Sequence, residues 1–84
     1  MVSIEGVIVF YATSWCPDCR RSQRLLDSHG IPYRWVDVDK DAAARVFVEE
    51  TNRGFRSVPT IVFPDGTILV EPSNRELAKK LGLE

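Results

Sequence analysis

From residue 8 to residue 20 the chain reads Ile8-Val9-Phe10-Tyr11-Ala12-Thr13-Ser14-Trp15-Cys16-Pro17-Asp18-Cys19-Arg20. Val7 to Tyr11 are all apolar or aromatic and three of them are β-branched, which predicts a central strand buried on both faces. A small polar corner follows, and then two cysteines separated by two residues. Pro17 stands where the first residue of a helix would, a place where its missing N–H is not needed. The stretch therefore predicts a buried strand, a tight corner and a helix whose first turn carries both cysteines.

Hydrophobic periodicity and turn residues place the remaining elements. In chain order they are a helix from about Pro17 to Ser28, a strand over Tyr33–Val38, a helix opened by Asp39 or Asp41 and closed by residues 52–54, strands over Thr60–Phe63 and Ile68–Val70, and a last helix begun by a capping box of Ser73 and Glu76. A helix between the first two strands favours a parallel pair, and a short turn between the last two favours an antiparallel hairpin. The order β-α-β-α-β-β-α predicts an α/β protein: a four-stranded mixed sheet in a three-layer α/β/α sandwich.

Spacing along the helices predicts which side chains face the sheet. In the first helix Cys19 shares a side with Ser22 and Leu26, so the second cysteine is expected to face inward. In the second helix the positions i, i+3, i+4 and i+7 that are predicted to face inward are Ala44, Phe47, Val48 and Thr51.

Length and composition limit the kinds of function. The 84 residues suffice for one small domain and contain no repeat or linker, so residues 1–84 are taken as a single domain. Hydrophobic residues make up 44% and charged residues 27%, which is ordinary for a globular chain, and a monomer is expected. A net charge of -1 provides no field that would attract nucleic acid or an anionic membrane surface.

The N-terminus and the cysteine count bear on location. The start, Met1-Val2-Ser3-Ile4-Glu5-Gly6, has no basic region, so no signal peptide is predicted. No apolar stretch approaches the ~20 residues of a membrane helix. A cytoplasmic protein is the resulting expectation, and in that reducing compartment two cysteines favour redox or metal chemistry over a structural disulfide.

The cysteine pair has the spacing of a redox site. Two intervening residues bring the sulfurs of Cys16 and Cys19 within bonding distance across the first helical turn. At the helix cap, Cys16 faces unpaired N–H groups and the positive end of the dipole, which stabilise the attacking thiolate. Arg20 adds to this stabilisation, whereas the carboxylate of Asp18 opposes it. The expected order is attack by Cys16, formation of a mixed disulfide and release of the product by Cys19.

A cysteine pair of this spacing can also bind metal or fill the core. A structural zinc site requires four ligands, and the chain has no second cysteine pair. His29, the only histidine, lies at the far end of the same predicted helix, ~15 Å away at 1.5 Å per residue, so no metal site within one chain is predicted. Two structural thiols are disfavoured by their place at a strand-to-helix corner.

Three motifs in this order resemble the glutaredoxin family: Cys-Pro-x-Cys after a first strand, Val58-Pro59-Thr60 before a later strand, and Pro64-Asp65-Gly66 in a hairpin. The similarity runs from about Val7 to Leu81. A subgroup, the mycoredoxins and related actinobacterial-type proteins, is most similar at Thr13–Cys16, Ala42–Ala44 and Pro72-Ser73.

The resemblance implies a thioredoxin-like fold and a thiol–disulfide oxidoreductase that reduces protein disulfides or mixed disulfides of low-molecular-weight thiols. It implies no bound cofactor, with glutathione or mycothiol as co-substrate, and recycling by such a thiol or by a flavin disulfide reductase. Two alternatives stay open. One is an electron donor to ribonucleotide reductase that thioredoxin reductase recycles. The other is a carrier of an iron–sulfur cluster held by Cys16 of two chains together with additional thiols.

The resemblance also implies a set of substrate contacts. Pro59 is expected to be cis and to pack beside Cys16, so that the Val58 backbone can pair with a peptide-like substrate. The cap of the last helix could hold a carboxylate on free N–H groups, and Arg56 is a candidate anion clamp. The full set of candidate contacts is Thr13, Trp15, Pro17, Arg56, Val58, Pro59, Ser73 and Asn74.

Departures from the family pattern concern the partner thiol. Asp18 stands where a tyrosine is typical, and Thr13 replaces the lysine that contacts a glutathione carboxylate. Residues 69–71 replace a Gly-Gly pair of the glutathione platform. These differences weigh against glutathione itself and leave thiol–disulfide exchange untouched. Trp15 is expected to be a lid or docking surface beside Cys16, with a simple cover of the sheet edge as the alternative.

Overall fold

The computed structural model describes residues 6–83, and the predicted order of elements is confirmed. The elements are β1 (Ile8–Ala12), α1 (Pro17–Ser28), β2 (Tyr33–Asp37), α2 (Ala42–Thr51), β3 (Thr60–Val62), β4 (Ile68–Val70) and α3 (Asn74–Leu81). Helix α1 and strand β4 have the predicted bounds; β1 is shifted by one residue, and β2 and β3 each begin as predicted and end one residue earlier.

The sheet has the order β2-β1-β3-β4 and is mixed, as predicted. Strand β1 lies inside it, parallel to β2 with Ile8 opposite Tyr33, and antiparallel to β3 with Phe10 opposite Ile61. Strand β4 pairs antiparallel with β3 and forms the hairpin. Both edges of β1 are paired, and the face of Ile8, Phe10 and Ala12 is buried. The predicted burial on both faces is wrong for the other face, where Val9 and Tyr11 are half-buried.

The larger core lies between the sheet and the pair α1 and α3. Phe10 from β1, Ile61 from β3, Leu26 from α1 and Leu77 from α3 are fully buried there. The ring of Trp35 stacks on Phe10 with centroids 5.2 Å apart and planes 12° apart. This core fixes helix α1, and with it both cysteines, against the central strand.

Helix α2 covers part of the other face with a narrower contact than predicted. Ala44 and Val48 are buried against the sheet, and Thr51 is half-buried. Phe47 was expected inward but is exposed, with its ring 5.0 Å from that of Tyr11. The prediction for Phe47 is wrong because one ten-residue helix covers only the middle of this face, and Phe47 projects beyond the Ala44–Val48 line of contact.

The helix starts agree with the capping rules. Of the two predicted caps of α2, Asp41 is the one used: its Oδ1 accepts the N–H of Ala44 at 3.0 Å. The capping box of α3 is formed, with Ser73 Oγ accepting the N–H of Glu76 and Glu76 Oε1 accepting the N–H of Ser73. Each cap satisfies helix donors that would otherwise lack a partner.

The expectation of no signal peptide concerns residues 1–5, which lie outside the described part of the chain. Between residues 6 and 83, no helix is long and apolar enough to cross a bilayer.

Helix α3 depends on one fully buried side chain, which gives a test of the core. Leu77→Ala is expected to lower the free energy of unfolding by about 2–5 kcal/mol, because the cavity left behind cannot close completely. Urea unfolding followed by circular dichroism measures the change. Leu83→Ala, at a position that is 38% exposed, is the matched control and should cost less than about 1 kcal/mol. Equal losses in the two variants would contradict the assignment of Leu77 to the core.

Candidate active site

Cys16 occupies the N-cap of α1, directly after the corner that ends β1. Its backbone is extended (φ -83°, ψ 116°), and its Sγ accepts the N–H of Cys19 at 3.2 Å. The sulfur thus does what a Ser or Asp oxygen usually does at a helix start. Pro17 follows at the first helical position and is exposed. Cys16 itself is 6% exposed and no disulfide joins it to Cys19, so the candidate nucleophile lies just below the surface.

Cys19 lies one turn further along α1 and faces inward, as predicted. It is fully buried, and this burial, together with a hydrogen bond to Cys16, raises its pKa to about 12. A backbone hydrogen bond from Thr13 acts in the opposite direction but does not cancel the effect of burial. Cys19 is therefore a neutral, protected thiol at neutral pH, which is the state expected of a resolving cysteine.

The backbone of Val58 lies against the thiol of Cys16. The Val58–Pro59 bond is cis, as the family resemblance implied, and Pro59 is fully buried. The Cys16 thiol donates toward the Val58 carbonyl oxygen at 3.8 Å, although the two residues are 42 positions apart in the chain. Thr60 Oγ1 donates to the carbonyl of Ser57 at 2.7 Å and so fixes the turn that carries this segment. The loop before β3 thereby completes the site that the corner after β1 begins.

A guanidinium masks the carboxylate of Asp18. Arg21 Nη1 donates to Asp18 Oδ1 at 2.8 Å, and Arg21 Nη2 donates to the carbonyl of Pro72 at 3.3 Å. Arg21 therefore joins the first turn of α1 to the loop that precedes α3. The predicted opposition of Asp18 to the Cys16 thiolate is reduced by this partner, because the carboxylate and the guanidinium form a neutral pair.

Arg20 holds the corner between β1 and α1. Its Nε and Nη2 both donate to the carbonyl of Ser14, at 3.2 and 2.7 Å. The guanidinium is exposed, and its described hydrogen bonds go to the corner rather than to the sulfur of Cys16. Its effect on the thiolate stays a prediction, whereas its contact with Ser14 shows a second use: it fixes the turn that leads into Cys16.

Trp15 and Arg56 share one acidic partner that sequence reasoning missed. The Trp15 side chain is 67% exposed, and its indole N–H donates to Asp39 Oδ2 at 2.9 Å. Arg56 Nη1 lies 3.5 Å from Asp39 Oδ1, and Arg56 Nε lies 3.7 Å from Glu49 Oε2. Asp39 was considered only as a helix cap. The signal that could have found it is topological: the carboxyl ends of parallel strands β1 and β2 meet at one edge, which places the loop after β2 beside the corner after β1.

Two candidate contacts, Thr13 and Ser73, are placed differently from expectation. Thr13 is fully buried and its hydroxyl has no hydrogen-bond partner among the described groups, so it offers no surface to a substrate. At the start of α3 the capping box already uses two of the backbone donors, because Glu76 Oε1 accepts the N–H of Ser73 and Ser73 Oγ accepts the N–H of Glu76. Asn74 is exposed at the first position of α3. The groups that surround Cys16 are instead Trp15, Pro17 and the Val58–Pro59 segment.

Two thiols on one helical turn can carry a disulfide or supply two ligands. Across residues 6–83, no group of three or more His, Cys, Asp or Glu side chains is placed to hold a metal ion. Among the described residues, Cys16 and Cys19 could supply two ligands to a metal, and further ligands would have to come from elsewhere. Disulfide chemistry needs only these two thiols.

The model of the glutaredoxin family matches residues 8–68, which contain the cysteine pair and the Val58–Pro59 segment. The chain belongs to the glutaredoxin family. A Mycobacterium tuberculosis protein with a glutaredoxin name is 41% identical over 78 residues, covering 93% of both chains. Mycoredoxin 1 of Corynebacterium glutamicum is 40% identical over 74 residues, 88% of this chain and 91% of that protein. Membership shows thiol–disulfide oxidoreductase activity in general terms, with low-molecular-weight thiols and disulfides as the partners of the family.

Solved structures show the same fold. A single-residue mutant of a thioredoxin-like protein superposes with a TM-score of 0.80 at 32% identity, covering 92% of this chain and 96% of that one. A glutaredoxin of Methanosarcina mazei gives a TM-score of 0.73 at 29% identity, with 92% and 79% covered. The predicted thioredoxin-like fold is therefore confirmed.

The different surroundings of the two thiols in this glutaredoxin predict selective labelling. Brief treatment of the reduced protein with iodoacetamide at pH 7 should modify Cys16 alone. With its pKa raised to about 12, Cys19 carries roughly a thousandfold less thiolate than a free cysteine at ~8.5. Peptide mapping by mass spectrometry locates the adduct. The Cys16→Ser variant should stay unlabelled in the native state and be labelled once unfolded in urea; rapid native labelling of Cys19 would contradict the assignment.

The pair of Asp18 and Arg21 predicts a charge effect on Cys16. Arg21→Gln should slow the labelling of Cys16 by iodoacetamide at pH 7 about two- to fivefold, because the exposed carboxylate of Asp18 is then free to oppose the thiolate. Asp18→Asn combined with Arg21→Gln should restore the rate. Arg24→Gln, which removes an exposed arginine one turn further along α1, is the matched control. If it slows labelling as much as Arg21→Gln, the effect is one of net charge and not of the pair.

Proposed function

We propose that this protein is a dithiol oxidoreductase that reduces protein disulfides or mixed disulfides of low-molecular-weight thiols. The observation that supports it is the arrangement of two reduced thiols on one helical turn. Cys16 caps the helix at the surface, and Cys19 is buried directly behind it, with the Cys19 N–H donated to the Cys16 sulfur at 3.2 Å. A two-step thiol–disulfide exchange requires a surface nucleophile and a second, protected thiol beside it.

The exchange proceeds in two displacements. The Cys16 thiolate attacks one sulfur of the substrate disulfide, forms a mixed disulfide and releases the other sulfur as a thiolate. The Cys19 thiol then attacks the Cys16 sulfur, its proton passes to the second departing sulfur, and the Cys16–Cys19 disulfide forms. The substrate gains two electrons and the protein loses two. Burial holds Cys19 as a neutral thiol until the mixed disulfide places a sulfur electrophile beside it.

Substrate binding is proposed along the surface between the Cys16 corner and the loop before β3. The Val58 backbone lies against the thiol, so an extended peptide that carries the disulfide can lie beside it and pair with main-chain groups. Trp15 supplies an exposed flat apolar face next to Cys16, and Arg56 supplies a positive charge on the other side. Pro17 completes the surface at the start of α1.

For the reductant we propose a low-molecular-weight thiol as co-substrate, with no bound cofactor. Mycothiol is favoured over glutathione for two reasons. Thr13 is buried where the family has a lysine, and the capping box of α3 already uses the N–H groups of Ser73 and Glu76, so both expected contacts to a glutathione carboxylate are weakened. One of the relatives is named a mycoredoxin. The proposal includes a monomer, and it places the protein in the cytoplasm because a dithiol that reduces other disulfides must be regenerated in a reducing compartment.

Turnover of a mixed disulfide under defined recycling systems tests the proposal. A peptide disulfide of mycothiol, and the same peptide bound to glutathione, are offered with mycothiol and its reductase, glutathione and its reductase, or thioredoxin reductase alone. Turnover should be fastest with mycothiol. Cys16→Ser should fall to the uncatalysed rate, because the attacking sulfur is gone, while Cys19→Ser should accumulate the mixed disulfide on Cys16, visible by intact mass. Absence of wild-type turnover in all three systems would overturn the proposal. Turnover with thioredoxin reductase alone would show that this enzyme, and not a low-molecular-weight thiol, is the reductant.

A further inference from the structure

One carboxylate lies between the two loops that flank the cysteine site. Asp39 follows β2, and its backbone N–H donates to the side chain of Asp37 at 2.9 Å, which fixes the turn. Its two oxygens point to different partners: Oδ2 accepts the indole N–H of Trp15, and Oδ1 faces the guanidinium of Arg56. Trp15 directly precedes Cys16, and Arg56 lies two residues before Val58. Asp39 therefore connects both sides of the surface above the thiol.

The two contacts differ in tightness. The bond from Trp15 is 2.9 Å long, the usual length of an N–H···O hydrogen bond. The contacts from Arg56 to Asp39 and Glu49, at 3.5 and 3.7 Å, are longer than the ~2.7–2.9 Å of a strong charge-assisted bond. Arg56 is thus shared loosely between two carboxylates and can turn toward a substrate, whereas the indole is held in one orientation.

We propose that Asp39 is a positioning residue for the disulfide substrate. It fixes the orientation of the Trp15 indole beside Cys16 and keeps the Arg56 guanidinium on the opposite side of the same surface. The substrate class this arrangement suits is a disulfide on an extended peptide, with an apolar side chain against the indole and a polar or acidic group toward Arg56. The inference rests on the proposed function and adds to it the residue that prepares the binding surface.

The effect belongs in binding and not in the chemical step. An exposed indole without its hydrogen bond samples several rotamers, and a substrate that needs one of them must immobilise it at a cost in affinity. Among the hydrogen bonds of residues 6–83, none joins Asp39 to the sulfur of Cys16 or to the N–H of Cys19, so the reaction of Cys16 with a small reagent should not change. Asp39→Ala is therefore expected to raise KM about three- to tenfold and to leave kcat within about twofold.

The experiment compares four single variants and one double variant with the wild type on the peptide mixed disulfide, in whichever recycling system supports turnover. Asp39→Ala should raise KM. Asp39→Asn should have a KM close to that of the wild type, because an amide oxygen still accepts the indole N–H. Asp27→Ala is the matched control: Asp27 accepts a 2.8 Å hydrogen bond from the aromatic donor Tyr33 at the far end of α1, and its loss should not change KM. In the fourth variant, Trp15→Phe, the further change Asp39→Ala should have a much smaller effect than in the wild type.

Two results overturn the inference while the proposed function stands. The first is that the wild type turns over the substrate and the KM of Asp39→Ala lies within twofold of the wild-type KM. The other is an Asp39→Ala variant in which kcat and the iodoacetamide rate at Cys16 fall together with binding, which would indicate general disruption of the corner. A wild type that fails to turn over any disulfide overturns the proposed function, and the inference falls with it.

Discussion

The hydrogen bond from the Cys19 N–H to the sulfur of Cys16 is the contact on which the site depends. A helix start leaves backbone donors unpaired, and most helices satisfy them with an oxygen of Ser, Thr, Asp or Asn. Here a sulfur at 3.2 Å does so, which places the reactive atom at the positive end of α1. The same bond fixes the side chain of Cys16 relative to that of Cys19. Helix capping and redox chemistry therefore use one atom. A negative charge on that sulfur makes it a stronger acceptor for the helix N–H group and a better nucleophile.

The sheet determines which residues reach this atom. Because β1 lies inside the sheet, its carboxyl end has a neighbour on each side. Parallel pairing with β2 brings the loop of Asp39 to that end, and antiparallel pairing with β3 brings the residues that precede β3 to the same end, with Tyr11 opposite Thr60. Val58 and Asp39 thus meet the Cys16 corner from opposite sides. Residues far apart in the chain form one surface through strand order alone.

Local signals predicted much of this from the sequence, since they report on backbone donors and on periodicity. Pro17, the capping box of Ser73 and Glu76, and the run from Ile8 to Ala12 each encode their structure within a few residues. Prediction was less accurate where the answer depended on what lies across the sheet. Phe47 has the right helical spacing but projects past the covered area, and Thr13 is polar in sequence yet fully buried.

The part played by Asp39 could not be read from its neighbours, because its partners at Trp15 and Arg56 are separated from it by whole elements. The predicted strand order places the loop of Asp39 at the edge of the sheet, but the sequence does not show that its carboxylate accepts the indole N–H of Trp15. The family resemblance helped where motifs are shared, as at Val58–Pro59, and was uninformative where this chain has its own residues.

Charge around the cysteines follows one rule that accounts for the departures from the family pattern. An acidic residue between the cysteines would disfavour a thiolate if it stood alone, yet Asp18 lies 2.8 Å from a guanidinium nitrogen of Arg21. Asp39, a second carboxylate of the site, faces Arg56 at the longer distance of 3.5 Å and shares it with Glu49. Each of these two carboxylates thus lies beside a guanidinium, and each contact also connects two segments: α1 with the loop before α3, and the loop after β2 with the loop before Val58. An acidic residue beside a guanidinium opposes a nearby thiolate less than one that stands alone, so acidic residues can help to build the binding surface while the sulfur of Cys16 keeps its backbone donor at the start of α1.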